Sequence, residues 1–112
     1  MWTDAEIHQR LSTIAAQYEI FQCQECAEAM KRWLVAQKIE GVLIRLRAYD
    51  GNFIISERTG GDVAISQNGF HYGVEVRGKI FDNLPMTGLA KQVWLNDFDC
   101  IGGFEVIETQ FS

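Results

Sequence analysis

Residues 70–82 read Phe70-His71-Tyr72-Gly73-Val74-Glu75-Val76-Arg77-Gly78-Lys79-Ile80-Phe81-Asp82. Phe70, Tyr72, Val74 and Val76 alternate with His71, Gly73 and Glu75, the period of two that a β-strand imposes. Gly78 interrupts that period, so the segment predicts an antiparallel hairpin with an apolar face and a second face carrying His71. Gly73 lies on the His71 face and has no side chain to block an approaching helix end. The turn decides what His71 meets. A two-residue turn at Arg77-Gly78 pairs Gly73 with Asp82 and makes Asp82 a diagonal neighbour of His71. A turn at Gly78-Lys79 pairs Glu75 with Asp82, on the same face but one step further away. A three-residue loop reverses that face. Taken alone, such a short polar face is usually only solvated.

Upstream of the hairpin the period is helical. Thr3 and Glu6 form a capping-box pattern ahead of a helix over 4–17, whose stripe is Ile7, Leu11, Ile14, Ala15 and Tyr18. A second helix over 23–38 stops before Gly41, burying Cys26, Ala27, Met30, Trp33 and Leu34 and turning Glu25, Glu28, Lys31 and Arg32 outward. Val42, Leu43, Ile44 and Leu46 begin a strand, residues 50–52 form a turn, and Phe53, Ile54 and Ile55 follow. Residues 57–61 read as a loop, 63–65 as a short strand, Asn68-Gly69 as a turn, 89–95 as a short helix and 104–109 as a last strand. The pattern predicts an α+β fold over 1–112 as one domain, with N-terminal helices packed on a small, mostly antiparallel sheet.

The chain has a formal charge of −5, with scattered basic residues. A nucleic-acid reader gathers its Lys and Arg on one face, and the triplet at 45–47 is too short for that footprint, so no nucleic-acid partner is expected. No apolar run reaches membrane-spanning length, and no basic segment followed by an apolar stretch opens the chain. The expectation is a cytoplasmic protein with no membrane partner. The odd count of 3 cysteines argues against a disulfide framework.

Each thiol therefore needs its own account. Cys26 falls on the apolar stripe, and packing explains it. Cys23 lies one turn earlier, at the start of the helix, where unpaired N–H groups and the helix dipole stabilise a thiolate and lower its pKa. The competing account is a small buried side chain beneath the first helix. A thiol at a helix start, a histidine on a strand and a carboxylate on the next strand supply a nucleophile, a base and an orienter, in the order Cys23, His71, Asp82. Glu75 and Asn83 are weaker orienters; strand alternation turns Asn83 to the other face.

The runs QCQECAEAMKRWL at 22–34, NGFHYGVEV at 68–76 and KIFDNLPMTGLAKQVWL at 79–95 resemble the second papain-fold toxin family of bacterial polymorphic toxin systems. The resemblance extends over about 21–98. It implies a minimal papain-like fold and a cysteine peptidase or a deamidase of protein side chains, with Cys23, His71 and Asp82 at the catalytic positions. It also implies a protein substrate, a specific immunity protein as partner, and secretion or delivery where the domain serves a toxin system. No metal or organic cofactor is called for. Papain-like proteases use the second cysteine of a CxxC-like context, which makes Cys26 a competitor. They place an oxyanion-hole glutamine six residues before the nucleophile, where Gln17 stands; Gln22, Gln24 and the backbone N–H of Cys23 are alternatives.

Other accounts remain open on the residues alone. Cys23-x-x-Cys26 is a redox spacing, although a helix precedes it rather than a strand. Cys23, Cys26, His71 and Cys100 are enough ligands for zinc but lack a second closely spaced pair. A silent papain-like scaffold that binds a protein is the non-enzymatic alternative. His8 is read as a surface or packing residue, and Trp33, Trp94, Phe81 and Phe98 as core.

Overall fold

In the hairpin, Val74 pairs with Phe81, Glu75 with Ile80 and Val76 with Lys79, leaving Arg77-Gly78 as a two-residue turn. Both turn residues have positive φ, 50° and 83°, the left-handed geometry that matches the twist of the flanking strands. This is the first of the registers open in the sequence, and it places Asp82 one step beyond the Val74–Phe81 pair, opposite Gly73.

The computed structural model describes residues 1–51, 53–66 and 68–112; Asn52, at the end of the expected 50–52 turn, lies outside the described residues. The elements are α1 (Asp4–Ala15), α2 (Cys23–Ala36), β1 (Gly41–Ala48), β2 (Ile54–Ser56), a 3₁₀ turn (Glu57–Thr59), β3 (Ala64–Ser66), β4 (Phe70–Val76), β5 (Lys79–Phe81), β6 (Leu89–Ala90), α3 (Lys91–Asn96), β7 (Phe98–Asp99) and β8 (Phe104–Phe111). They form an antiparallel five-stranded sheet in the order β6-β5-β4-β1-β8 and a three-stranded sheet in the order β3-β2-β7. The α+β arrangement is that of a minimal papain-like fold. Among the described residues, no helix is long and apolar enough to cross a membrane.

The large sheet is apolar on both sides. Val74, Val76 and Phe81 meet Ile7, Leu11, Cys26, Ala27, Met30 and Leu34 of the two N-terminal helices. On the other face Ile44, Leu46 and Ile80 meet Trp94 of α3, Phe98 of β7, and Ile54 and Ile65 of the small sheet. Period two explains the split, since successive side chains leave a strand on opposite sides.

Three expectations change in detail. The second helix ends earlier, because Lys38 adopts φ 62° while its N–H bonds Val35 O and that of Ile39 bonds Leu34 O. This double closure ends helices and usually uses glycine; here Lys38 takes the left-handed position and buried Ile39 packs back on the helix. The expected 57–61 loop contains the 3₁₀ turn, capped by the Ser56 side chain accepting from Arg58 N. β6 and β7 are two-residue strands, too short to leave a periodic signal.

Gly73 serves a different neighbour from the one expected. A Cβ there would lie 2.8 Å from the Trp94 ring and 3.0 Å from Ile80 Cγ2. The missing side chain admits Trp94 to the sheet, not the end of α2. Gly73→Ala is therefore expected to destabilise the fold by about 1–3 kcal/mol through overpacking, read from urea denaturation with Trp94 fluorescence as a second probe. An unchanged denaturation midpoint contradicts this account of Gly73.

Candidate active site

His71 is fully buried on β4 between aromatic rings, 4.9 Å from the Phe98 centroid and 6.0 Å from that of Trp94. Its Nε2 lies 3.1 Å from Asp82 Oδ2, which places a proton on Nε2 as the donor to the carboxylate. Nδ1 is buried and has no hydrogen-bond partner among the described residues. Cys23, at the first position of α2 and 9% exposed, approaches the same ring and is one of the groups acting on its charge.

Burial by itself pushes the imidazole toward neutrality. The hydrogen bond to Asp82, the interaction with Cys23 and their charges outweigh that, raising His71 from 6.5 to about 9. Asp82 shows the complementary balance: burial opposes its charge, but His71 and Arg58 hold its carboxyl far below the usual range.

No local pattern signals the depth of support around Asp82. Arg58 donates through Nη1 to Oδ1 at 2.9 Å and through Nη2 to Oδ2 at 2.7 Å, a bidentate fork. Trp94 Nε1 donates to Oδ2 at 2.8 Å, and Thr87 Oγ1 accepts from Asp82 N at 2.6 Å. Arg58 is itself held from behind: its Nε donates to Asp97 Oδ2 at 2.8 Å and its backbone N to Asp97 Oδ1 at 3.0 Å. Ser56 Oγ also donates to Asp97. Arg58 comes from a segment that reads only as a loop, and Trp94 from one that reads as core. A lone arginine in a loop carries no signal of burial, so neither role was visible without the fold.

Asn83 continues the strand beyond Asp82 and points to the other side. Its Nδ2 donates to Glu19 O at 2.7 Å and Ile20 O at 3.1 Å. Those carbonyls belong to the turn that leads into α2. Within that turn Gln22 N donates to Glu19 O, and Glu19 N donates to Gln22 Oε1 at 2.8 Å. Two successive residues thus hold the His71 ring on one side and the chain entering Cys23 on the other.

Cys26 is fully buried, and burial, with the charges of Asp82 and Cys23, pushes its thiol up to about 12. Cys100 lies in the turn before β8, its Sγ donating to Gly103 O at 3.1 Å. Gln17 is exposed in the turn after α1, and among the described residues no hydrogen bond joins its side chain to Cys23 or His71. His8 is exposed on α1 and packs edge-on against Phe81. Trp94, Phe81 and Phe98 are buried, while Trp33 is half-buried against Trp2. Among the described residues, no group of acidic, cysteine or histidine side chains is arranged to hold a metal.

A half-open pocket of about 350 Å³ leads to Cys23. Phe21, Gln24, Glu25, Ile65, Ser66 and Tyr72 contribute to its walls. Cys26 N donates to Gln22 O, while the N–H groups of the preceding first turn are left without helical partners at the end where Cys23 stands. The arrangement can deprotonate a thiol, present it to a groove and offer backbone donors to an oxygen next to it.

A family model described as Papain fold toxin 2 matches residues 6–99 of the chain. Comparison with curated proteins and with solved structures gives no match.

The two shifted groups set a pH window for stability. His71, raised when folded, stabilises fully below its unfolded value of 6.5, and this contribution is lost as pH rises through about 9. Asp82, depressed when folded, stabilises fully above about pH 4 and loses that contribution as pH falls. Urea midpoints are expected to be highest between about pH 4 and 6.5 and to decline on both sides. In His71→Gln the decline between 6.5 and 9 should flatten. A decline of equal steepness in that variant assigns it to another group.

Proposed function

Because the chain belongs to the papain fold toxin 2 family, we propose that it is a papain-like cysteine hydrolase of protein amide bonds. It acts as a peptidase or as a deamidase of side-chain carboxamides. Cys23 is the nucleophile, His71 the base and then the acid, and Asp82 the orienter. The observation that carries this reading is the buried His71 ring, bonded at Nε2 to Asp82 with Nδ1 left free on a ring that Cys23 approaches.

In the proposed reaction the Cys23 proton passes to His71 Nδ1 and the sulfur attacks the amide carbon. The oxygen, now negative, accepts hydrogen bonds from the N–H groups that open α2, including that of Cys23. Gln17 would need to turn inward from its exposed position to contribute. The C–N bond breaks as His71 returns its proton to the leaving amine or ammonia, giving a thioester. Water then attacks the thioester, His71 takes its proton, and the thiol leaves with that proton as the carboxylic acid is released. No metal or organic cofactor enters the scheme. Cys26 is disfavoured as nucleophile by its enclosure and its raised thiol pKa. Membership of that family supports reading the domain as a toxin effector, for which a specific immunity protein is the proposed partner.

The near-complete burial of Cys23 and His71 favours one alternative, a silent scaffold that binds a protein through the same groove. Iodoacetamide labelling followed by mass spectrometry separates the two. Cys23 is expected to label ahead of Cys26 at pH 7, and His71→Ala to slow it by about tenfold through loss of the thiolate. Slow labelling of Cys23 that ignores the His71 substitution favours the scaffold. Labelling of Cys26 instead moves the nucleophile.

A further inference from the structure

Asp82 lies between two cationic partners, the Arg58 guanidinium and the His71 ring. A carboxylate held bidentately by one arginine is already neutralised, and a second cation beside it would then be a buried charge without a counterion. The structure contains the missing counterion. Asp97, at the C-terminal cap of α3, is 9% exposed and takes both the Nε and the backbone N–H of Arg58. Asp82, Asp97, Arg58 and a protonated His71 sum to zero, whereas a neutral ring leaves one negative charge.

We propose that Asp97 is a positioning residue that sets the proton affinity of His71 through Arg58, touching neither the ring nor the thiol. The role rests on the reading of His71 as the base. The groups that face the ring leave this path clear. Cys23 approaches from α2 and Asp82 from the end of β5, while Trp94 and Phe98 are neutral. Leu46, the cross-strand partner on β1, is apolar. Glu75 lies further along the His71 face of β4, and Cys26 stands behind Cys23 with its thiol protonated. Asp97 also fixes the 3₁₀ turn through Arg58 N, and Glu57 N bonds its carbonyl. A purely structural role is therefore the competing explanation.

The test is the titration of His71 by NMR of the imidazole carbons, with exposed His8, the other of the 2 histidines, as internal control. Asp97→Asn keeps the shape and removes the charge, and it is expected to lower the His71 midpoint by about one pH unit while His8 is unmoved. Arg58→Met combined with Asp97→Asn removes one charge of each sign, and its midpoint should return toward wild type. That recovery after a second lesion is what a loosened structure would not give. Where Asp97→Asn alone is unstable, Arg58→Met serves as the reference: its His71 midpoint is expected above that of the double variant, and equal midpoints overturn the proposal. An unmoved His71 in Asp97→Asn, or a midpoint lower still in the double variant, overturns the proposal. Cys23 labelling of the same samples separates this outcome from failure of the hydrolase reading. A displaced His71 with indifferent labelling rejects the thiol chemistry and keeps the coupling; normal labelling with an unmoved His71 rejects the coupling alone.

Discussion

The buried carboxylate of Asp82 is the point on which the other elements converge. A carboxylate cannot be taken out of water unless its lone pairs are met, and here Arg58, Trp94, His71, Thr87 and Leu84 N surround it. Those partners come from the 3₁₀ turn, α3, β4 and the loop after β5. Meeting the demands of one carboxylate therefore fixes how the small sheet and α3 sit against the large sheet. The cost of burying the charge and the orientation of the His71 ring are settled by the same set of bonds.

Asp82 and Asn83 divide the work by strand alternation. One side chain enters the aromatic layer beneath the sheet, and the next crosses to the turn before α2. Neighbouring residues on an extended chain are rigidly related through planar peptides, so a displacement of this strand end carries the partner of His71 and the chain approaching Cys23 together. This is a short mechanical path between two groups that lie far apart in sequence.

Much of this was legible in the residues, and the boundary is physical. The hairpin face of His71 follows from period two, whereas its register with Asp82 stays open between turn positions in the sequence and is set by the Arg77-Gly78 turn of the structure. The stripe on α2 separates Cys26 from Cys23 for the same kind of reason, since a helix repeats its faces every 3.6 residues. Arg58 and Asp97 are of another sort. Their meaning lies in pairing across chain separations of 24 and 39 residues, and no local period records such a pairing. Gly73 was read for the right property, an absent side chain, and assigned the wrong neighbour, because the sequence does not say which face of the sheet α3 covers.

The residues that meet around Asp82 begin at the turn before Cys23 and end at the cap of α3, with the small sheet, the hairpin and the following loop between them. No contiguous fragment of the chain contains enough of them to assemble the group. The arrangement is therefore the product of long-range closure, the slowest class of contact to form because chain entropy is lost before the contact compensates it. During synthesis Cys23 precedes His71 and Asp82, and it stays without them until the segment through α3 has followed. Completion of the fold, more than translation of the cysteine, is what brings Cys23, His71 and Asp82 together.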